Sequence, residues 1–579
     1  MKYEKIAPAL MIAFNDFSQK GEPGLDPHIR VLGIVPAEGR PRPPKTVVFI
    51  RCDEQADLDH LAPHDIEVNQ PRGAVRTAYL PLASLDQLSE DPAVNRILPT
   101  HYLHPLMDMA RVKVQVPEFR NTSGLSGRGV ITGIVDTGID AKHPAFAGRV
   151  LRIWDQTLPG PGVPQGRYGI ELTGALLTTS QDTHGHGTHV AGIAGGADPT
   201  FTGVAPASEY VIVKTDFMDA HIADGIRYIF QVAAELNRPA VVNLSLGGHA
   251  DAHDGTDSLS LIIDAESGAG RIVCCAAGNE GNDNIHAQAT VAPGKTKTMR
   301  FQVPSGAVGA AALNGWYPGA NALEISVRTP GRFVTPFQPL ILTGEPVRTY
   351  TLPDAKISIV TSGPDPANGD IQFWVDIQGV TPGTPIASGI WQLRVRNVSG
   401  TEAEVNVWTL DDQEAPTVFF TGTSVKDSIK IGAPGAAAAA ITVASYTTRV
   451  EWTDIDGNVR QVGLTLDDIS DFSSEGPIRK GAQQKPEVAA PGAMIIACLS
   501  SKSRPRRADT VNVEFRVMAG TSMATPFVSG LVALLLERDR GLDPNGVRAK
   551  LRSNSAIPGK PAGSYDTKWG FGLIDAQGL

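Results

Sequence analysis

The chain has 579 residues and a formal net charge of −10, with 42% hydrophobic and 19% charged residues. That length is too great for one hydrophobic core, so about two to four domains are expected, in an ordinary soluble globular balance. The acidic charge argues against nucleic acid or an anionic membrane as the main partner, and no apolar run reaches the roughly 18 residues of a membrane span.

The N-terminus, MKYEKIAPALMIAFNDFSQ, has a short apolar patch that Asn15 and Asp16 interrupt. It lacks the long apolar region and small-residue cleavage site of a secretory signal. The expected compartment is therefore the cytoplasm, with a non-Sec export route left open. Residues 4–19 read as a short helix; Gly21–Pro44 is rich in Gly and Pro, and its Arg40–Pro44 run reads as a linker. Strands are expected at Lys45–Arg51, Ile66–Val68, Ala74–Leu80 and Val94–Leu98, with helices at Gln55–Leu61 and Leu82–Ser89. The order βαββαβ is that of a small ferredoxin-like domain, a fold that hosts many functions.

From about residue 125 the character changes. Gly129–Val135 is a near-continuous apolar run, as a buried parallel strand requires, and it ends in Asp136–Thr137–Gly138. A polar residue at the carboxyl end of such a strand is where α/β sheets place function. Further βα units follow at Tyr210–Lys214, Ile222–Leu236, Ala240–Leu244, Leu259–Ser267 and Arg271–Ala276, which is doubly wound α/β. From about Ala287 to Lys426 strands dominate: Lys295–Val303, Leu323–Arg328, Lys356–Val360, Ile371–Ile377, Gly389–Val398 and Ala403–Leu410. Trp391, Leu393 and Val395 alternate with Gln392, Arg394 and Arg396, a pattern buried on one face. The expectation is a β-sandwich inserted into the α/β domain. The α/β pattern resumes at Gly435–Tyr446. The expected division is 1–106 as an N-terminal domain, 107–286 and 428–579 as the two parts of the α/β domain, and 287–427 as the insertion.

The last stretch of interest is Val517–Gly530, VMAGTSMATPFVSG. Gly520, Thr521 and Ala524 leave Ser522 unshielded, and apolar residues at helical spacing follow at Phe527, Leu531, Leu534 and Leu535. Ser522 should then lie at the positive end of a buried helix. Pro526 is tolerable because it falls near the helix start. A serine needs a neighbouring base to become a nucleophile. Asp182–Gly192 (DTHGHGTHVAG) offers His184, His186 and His189, and Asp136 offers a carboxylate to orient one of them. The order Asp…His…Ser is one of those in which such triads occur. Val273–Gly281 (VCCAAGNEG) puts Asn279 at a strand end, where its amide can donate to an oxyanion.

DTGID, HGTHVAG, AAGNEG and GTSMATP together resemble the signature stretches of the subtilisin-like serine proteases (subtilases, peptidase family S8). The resemblance covers roughly 125–285 and 430–579. It implies a serine endopeptidase in which Asp136, His186 and Ser522 form the catalytic triad and Asn279 is the oxyanion donor, His186 being the first histidine of HGTHVAG. It also implies that Ser245, Leu246 and Gly247 form a substrate-binding edge strand for an extended peptide. The N-terminal domain resembles a subtilase propeptide, an intramolecular inhibitor, with a processing point near Leu106–Met107. RIWDQ at Arg152–Gln156 and the inserted sandwich resemble the clostridial spore-germination subtilases. Many subtilases hold a tight calcium with an acidic residue at the position of Ala145 and a loop after HGTHVAG. Ala145 cannot ligate and Ile193–Thr202 is short, so that site is expected to be absent, with no other metal or cofactor implied.

Competing readings remain for several residues. DTG also marks aspartic proteases, but no second copy exists in the chain. His184 and His189 read as structural, and HGHGTH lacks the carboxylate motif of a metal site. Cys274 and Cys275 read as packing residues, with a redox switch as the alternative. The four cysteines show no CxxC spacing and do not read as a disulfide framework. Glu280 is either a rim charge or a selector of basic side chains, and Lys502–Arg507 is a solvated loop or a self-cleavage site. Against the protease reading stands a silenced scaffold, its N-terminal domain permanently seated and its sandwich binding partners.

Overall fold

The computed structural model describes residues 1–21, 28, 34–35, 44–99, 104–105, 112–306, 308–381, 383–410, 418–481 and 483–579. Its centre is built from apolar, β-branched runs. Ile131–Asp136, Glu209–Lys214, Ala240–Leu244 and Arg271–Ala276 are buried along nearly their whole length, as strands covered on both faces must be. Among the described residues they belong to a ten-stranded sheet. Its spatial order is Ser555–Ala556, Leu573–Ile574, Val488–Ala493, Ile441–Thr447, Arg271–Ala276, Ala240–Leu244, Ile131–Asp136, Glu209–Lys214, Val150–Asp155, Ile170–Thr173. Neighbours are parallel except the outermost pair at each end.

Alternate residues of these strands feed two cores. Ile134, Ile212, Val241 and Ile272 face the helices His186–Gly195 and Thr521–Arg538. Val135, Val211, Val242 and Val273 face Asp219–Glu235 and Ser258–Glu266. Helices on both faces make the domain doubly wound. Ile131–Asp136 comes first in sequence among the sheet strands yet lies between Ala240–Leu244 and Glu209–Lys214. The winding reverses there, which opens a crevice beyond its carboxyl end.

The N-terminal region forms an antiparallel sheet in which Val94–Pro99, Lys45–Cys52, Val75–Pro81 and Glu67–Val68 are successive neighbours. Helix Pro8–Lys20 follows a short 3-10 turn at Tyr3–Lys5. The helix expected at Gln55–Leu61 is not there. The chain instead makes a 3-10 helix at Asp59–His64, in which only Leu61 is buried. Pro63 lies inside it and has no N–H to give, so the segment cannot extend as an α-helix.

Residues 286–421 contribute a six-stranded and a four-stranded sheet around one shared core. Four of these strands carried no clear signal in the sequence: His286–Val291, Ala310–Pro318, Val347–Thr351 and Phe419–Thr421. The apolar side of Pro8–Lys20 and the N-terminal sheet shares a further core with Ala312, Val347, Val360 and Trp374 of this region. Asp16 joins the two, its carboxylate 2.7 Å from Lys356 Nζ and 2.9 Å from His28 Nε2. On the other side of the N-terminal sheet, Asp224 of the α/β domain accepts from Thr77 Oγ1 at 2.9 Å and Gln70 Nε2 at 2.7 Å. Among the described residues no helix is long and apolar enough to cross a membrane.

Candidate active site

Asp136 closes its strand in the crevice, and His186 opens its helix beside it. His186 Nδ1 lies 2.7 and 2.9 Å from the two carboxylate oxygens of Asp136. A carboxylate only accepts, so Nδ1 carries the proton and the neutral ring keeps its lone pair on Nε2. The Thr137 amide donates to the same carboxylate at 2.7 Å. A side chain at Gly187 would begin 2.2 Å from the Gly138 carbonyl oxygen, so glycine there lets the helix come this close.

Asp182 builds the approach. Its buried carboxylate accepts from Gly185 N at 2.7 Å, Thr188 N at 2.9 Å, Thr188 Oγ1 at 2.6 Å and Thr137 Oγ1 at 2.8 Å. It thereby holds the first turn of the His186 helix against the residue next to Asp136. An acceptor at a helix start satisfies amides that have no partner within the helix.

Ser522 is the second residue of Thr521–Arg538 and is fully buried. Pro526 has no N–H, so the Ser522 carbonyl lacks its usual partner four residues on. Ser245 Oγ supplies one, donating to that carbonyl at 2.6 Å, while Ser522 Oγ donates to the Ser245 carbonyl at 2.9 Å. Asn243 Nδ2 donates to Ser245 Oγ at 2.8 Å, and Ser529 Oγ donates to Asn243 Oδ1 at 2.9 Å. The proline thus locks the helix start onto the end of the Ala240–Leu244 strand.

Asn279 Oδ1 accepts from the amide and hydroxyl of Thr521, each at 3.0 Å. Its NH₂ group is therefore turned away from Thr521. Gly278 takes φ +110°, and a side chain there would begin 2.7 Å from both Glu280 Oε2 and Ser474 Oγ. Glu280 is not a solvated rim charge: its side chain is 14% exposed and accepts from Asn279 N and Ser474 Oγ, each at 2.8 Å.

Asp136 and His186 thus form one pair, and Ser522, Ser245 and Asn279 a second group joined through Thr521 and the Ser522 backbone; the helices that begin at His186 and Thr521 pack against each other. Leu246–Gly247 follows as a short strand, and His104–Pro105 pairs with it antiparallel, Leu246 opposite Pro105 and Gly247 opposite His104. Leu106 and Met107 lie outside the described residues. His184 is exposed, and buried His189 donates from Nε2 to the Arg516 carbonyl at 3.2 Å. All four cysteines are buried, and burial pushes the Cys274 thiol up to about 12 and that of Cys275 well up. Both are protonated at neutral pH, which favours packing over redox chemistry. Among the described residues no group of three or more His, Cys, Asp or Glu is arranged to hold a metal ion. Asp182 escaped assignment in the sequence, and Glu280 was read there only as a rim charge or a selector of basic side chains, because what gives each its place is a partner many residues away.

The sequence model of the subtilase family (Peptidase_S8) matches residues 127–337 and 383–572. The chain belongs to the subtilase family. An Arabidopsis thaliana subtilisin-like protease, SBT1.4, is 26% identical over 510 residues, which span 75% of this subtilase and 59% of the relative. Thermitase of Thermoactinomyces vulgaris is 31% identical over 178 residues, 29% of this chain and 54% of the relative. The matches therefore span between half and two thirds of those relatives' lengths. Among solved structures, the CspB protease of Clostridium perfringens superposes with a TM-score of 0.67 at 23% identity, covering 81% of this chain and 98% of that one. This likeness is one of fold, and it agrees with the clostridial resemblance of the sequence.

Proposed function

We propose that this subtilase is a serine endopeptidase that hydrolyses peptide bonds through an acyl-enzyme. Ser522 attacks the scissile carbonyl. His186 Nε2 takes its proton and returns it to the leaving amine, while Asp136 holds the ring and stabilises its charged form. Asn279 Nδ2 donates to the oxyanion. The observation that carries the reading is the His186–Asp136 pair, 2.7 Å apart, with Asn279 held beside Ser522 through Thr521. Substrates are extended peptides that add a strand to Ser245–Leu246–Gly247.

The N-terminal region serves as the intramolecular inhibitor. His104–Pro105 already occupies the Leu246–Gly247 edge in antiparallel register. Processing at Leu106–Met107, which the family resemblance implies, is the cut expected of such an inhibitor. The residues around Ala145 do not fit a tight calcium. Ala145 offers only its carbonyl, which accepts from Ala197 N at 2.9 Å and from the Arg149 guanidinium. Arg149 Nη1 also donates to the carbonyls of Gly195 and Ser208, each at 2.8 Å, so a fixed cation stands in that neighbourhood.

The test is hydrolysis of a fluorogenic peptide library by the purified chain, beside Ser522→Ala and His186→Ala. The reading expects turnover by the wild type alone, with a fluorophosphonate bound at Ser522. A wild type that neither turns over nor takes the label, even after limited digestion of the N-terminal region, supports the silenced scaffold instead.

A further inference from the structure

Two residues beyond the Leu246–Gly247 strand stands His249, which faces the loop that carries Asn279. His249 Nε2 lies 3.3 Å from Glu280 Oε2, and His249 Nδ1 lies 2.9 Å from His253 Nε2. The proton positions follow from the partners. His253 Nδ1 faces the Asp251 carbonyl at 3.2 Å and so carries a proton. Burial, and after it the charge of His249, drives His253 toward the neutral form, so its Nε2 is an acceptor. His249 Nδ1 must then donate to it. His249 Nε2 faces a carboxylate and must donate as well. Both ring nitrogens carry protons, and His249 is an imidazolium.

We propose that the His249–Glu280 ion pair is a positioning device for the oxyanion site, tying the substrate edge strand to the Asn279 loop. This rests on the protease reading. The same Glu280 oxygen that meets His249 accepts the Asn279 amide and the Ser474 hydroxyl. The Glu280 amide donates to Ser474 Oγ at 2.9 Å, closing the loop on itself. On the far side, His253 stacks on Trp408 with ring centroids 3.9 Å apart and planes within 5°, and His286 also stacks on Trp408, at 4.7 Å. Trp408 belongs to the six-stranded sheet, and its Nε1 is fixed to the Ile429 carbonyl at 2.9 Å. The two-sheet region therefore backs the oxyanion loop through Trp408, His253, His249 and Glu280.

The charges around His249 set the pH range. Burial lowers its pKa, but the hydrogen bond and charge of Glu280, with Asp251 behind, outweigh this and raise it. Lys430 opposes weakly and is itself engaged by Asp427 at 2.6 Å and the Gly281 carbonyl at 2.8 Å. Arg479 donates from its backbone to the His253 carbonyl and pairs through its side chain with Asp254. Glu280 is raised by burial and brought down to about 2 chiefly by His249, so it stays ionised. Because the folded His249 pKa lies above its unfolded value, the pair is fully present below that unfolded value. It is lost as pH rises through the folded one. Loss of the proton leaves Glu280 buried without its counter-charge and loosens the Asn279 amide.

The experiment compares wild type, Glu280→Gln and His249→Gln, as full chains, in two arms. In the first, ¹⁵N-histidine spectra are recorded in a Ser522→Ala background, which needs no activity. The His249 ring is expected to keep both protons to a higher pH in the wild type than in Glu280→Gln, in which the Asn279 amide exchanges faster. In the second, kcat is expected to fall on the order of tenfold at pH 7 in Glu280→Gln, less than loss of a whole oxyanion donor, with KM within about twofold. The alkaline decline of kcat in the wild type should disappear in both variants. A His249 ring that loses its proton at no higher pH than in Glu280→Gln, or variants whose kcat, pH profile and Asn279 exchange match the wild type, overturn the proposal. A wild type without turnover or label refutes the protease reading instead, and the Asn279 exchange arm still decides whether the pair holds the loop.

Discussion

Replacing Asp182 by Asn removes one acceptor oxygen from a carboxylate that is fully buried and accepts four hydrogen bonds. Two of the donors are hydroxyls, which can rotate. The other two are the amides of Gly185 and Thr188, one on each carboxylate oxygen, and these cannot turn away. Whichever way the new amide is placed, an NH₂ group faces a fixed N–H. One buried N–H loses its partner at a cost of about 1–3 kcal/mol, and crowding of donors adds to it, so the expected loss is about 2–4 kcal/mol. For a domain of about 330 residues, at about 2.1 cal/mol/K of unfolding entropy per residue, each kcal/mol is worth about 1.5 °C, so the melting temperature should fall by about 3–6 °C. Calorimetry in a Ser522→Ala background avoids self-digestion during the scan. Because Asp182 sets the helix start that carries His186, kcat/KM should also fall at least about tenfold, as misplacement of a catalytic group by about 1 Å costs roughly 10². A melting temperature within 1 °C of the parent, together with unchanged kcat/KM, refutes the reasoning.

Asn279→Ala should lower kcat about 10²–10³-fold with little change in KM, a magnitude taken from a subtilisin and not from this chain. Steady-state kinetics on a peptide anilide check it. Asp16→Ala leaves Lys356 in a partly buried site without its carboxylate, and the docking of the N-terminal helix should weaken by about 3 kcal/mol. Burial raises the Asp16 carboxyl, but His28 and Lys356 outweigh this and hold it well below the usual range. The contribution is therefore present above the unfolded pKa near 4 and fades as pH falls toward the folded one, which hydrogen exchange of residues 8–20 would report. A calcium chelator should leave the melting temperature unchanged, whereas Arg149→Met should lower it by several degrees by removing the guanidinium donor from the Gly195 and Ser208 carbonyls and one of two donors from that of Ala145.

The central sheet was legible because buried parallel strands are written as unbroken apolar runs. Gly129–Val135 and Ala240–Leu244 stand out for that reason, and they lie in the sheet within two residues of the expected bounds. Ala310–Pro318, near the middle of the six-stranded sheet, was not legible. Its AAALNGWYP has weak β formers and a glycine where its partner strand brings Phe373 close, so only the pairing with Asp370–Gln378 makes it a strand. Candidate catalytic residues were readable from motifs whose spacing is local. Asp182 stood inside a quoted motif, yet its task depends on Thr137, 45 residues earlier. His249 and His253 follow the edge strand without any motif of their own. Their meaning comes from Glu280 and Trp408, which only the folded chain brings beside them.

The most direct measurement is the intact mass of the purified wild type beside Ser522→Ala. The account predicts a wild type cut near Leu106–Met107 and an alanine variant that stays whole, with both wild-type fragments co-eluting because the N-terminal region shares cores with both the α/β domain and the two-sheet region. A wild type that stays whole and leaves Ser522 unlabelled by a fluorophosphonate contradicts it.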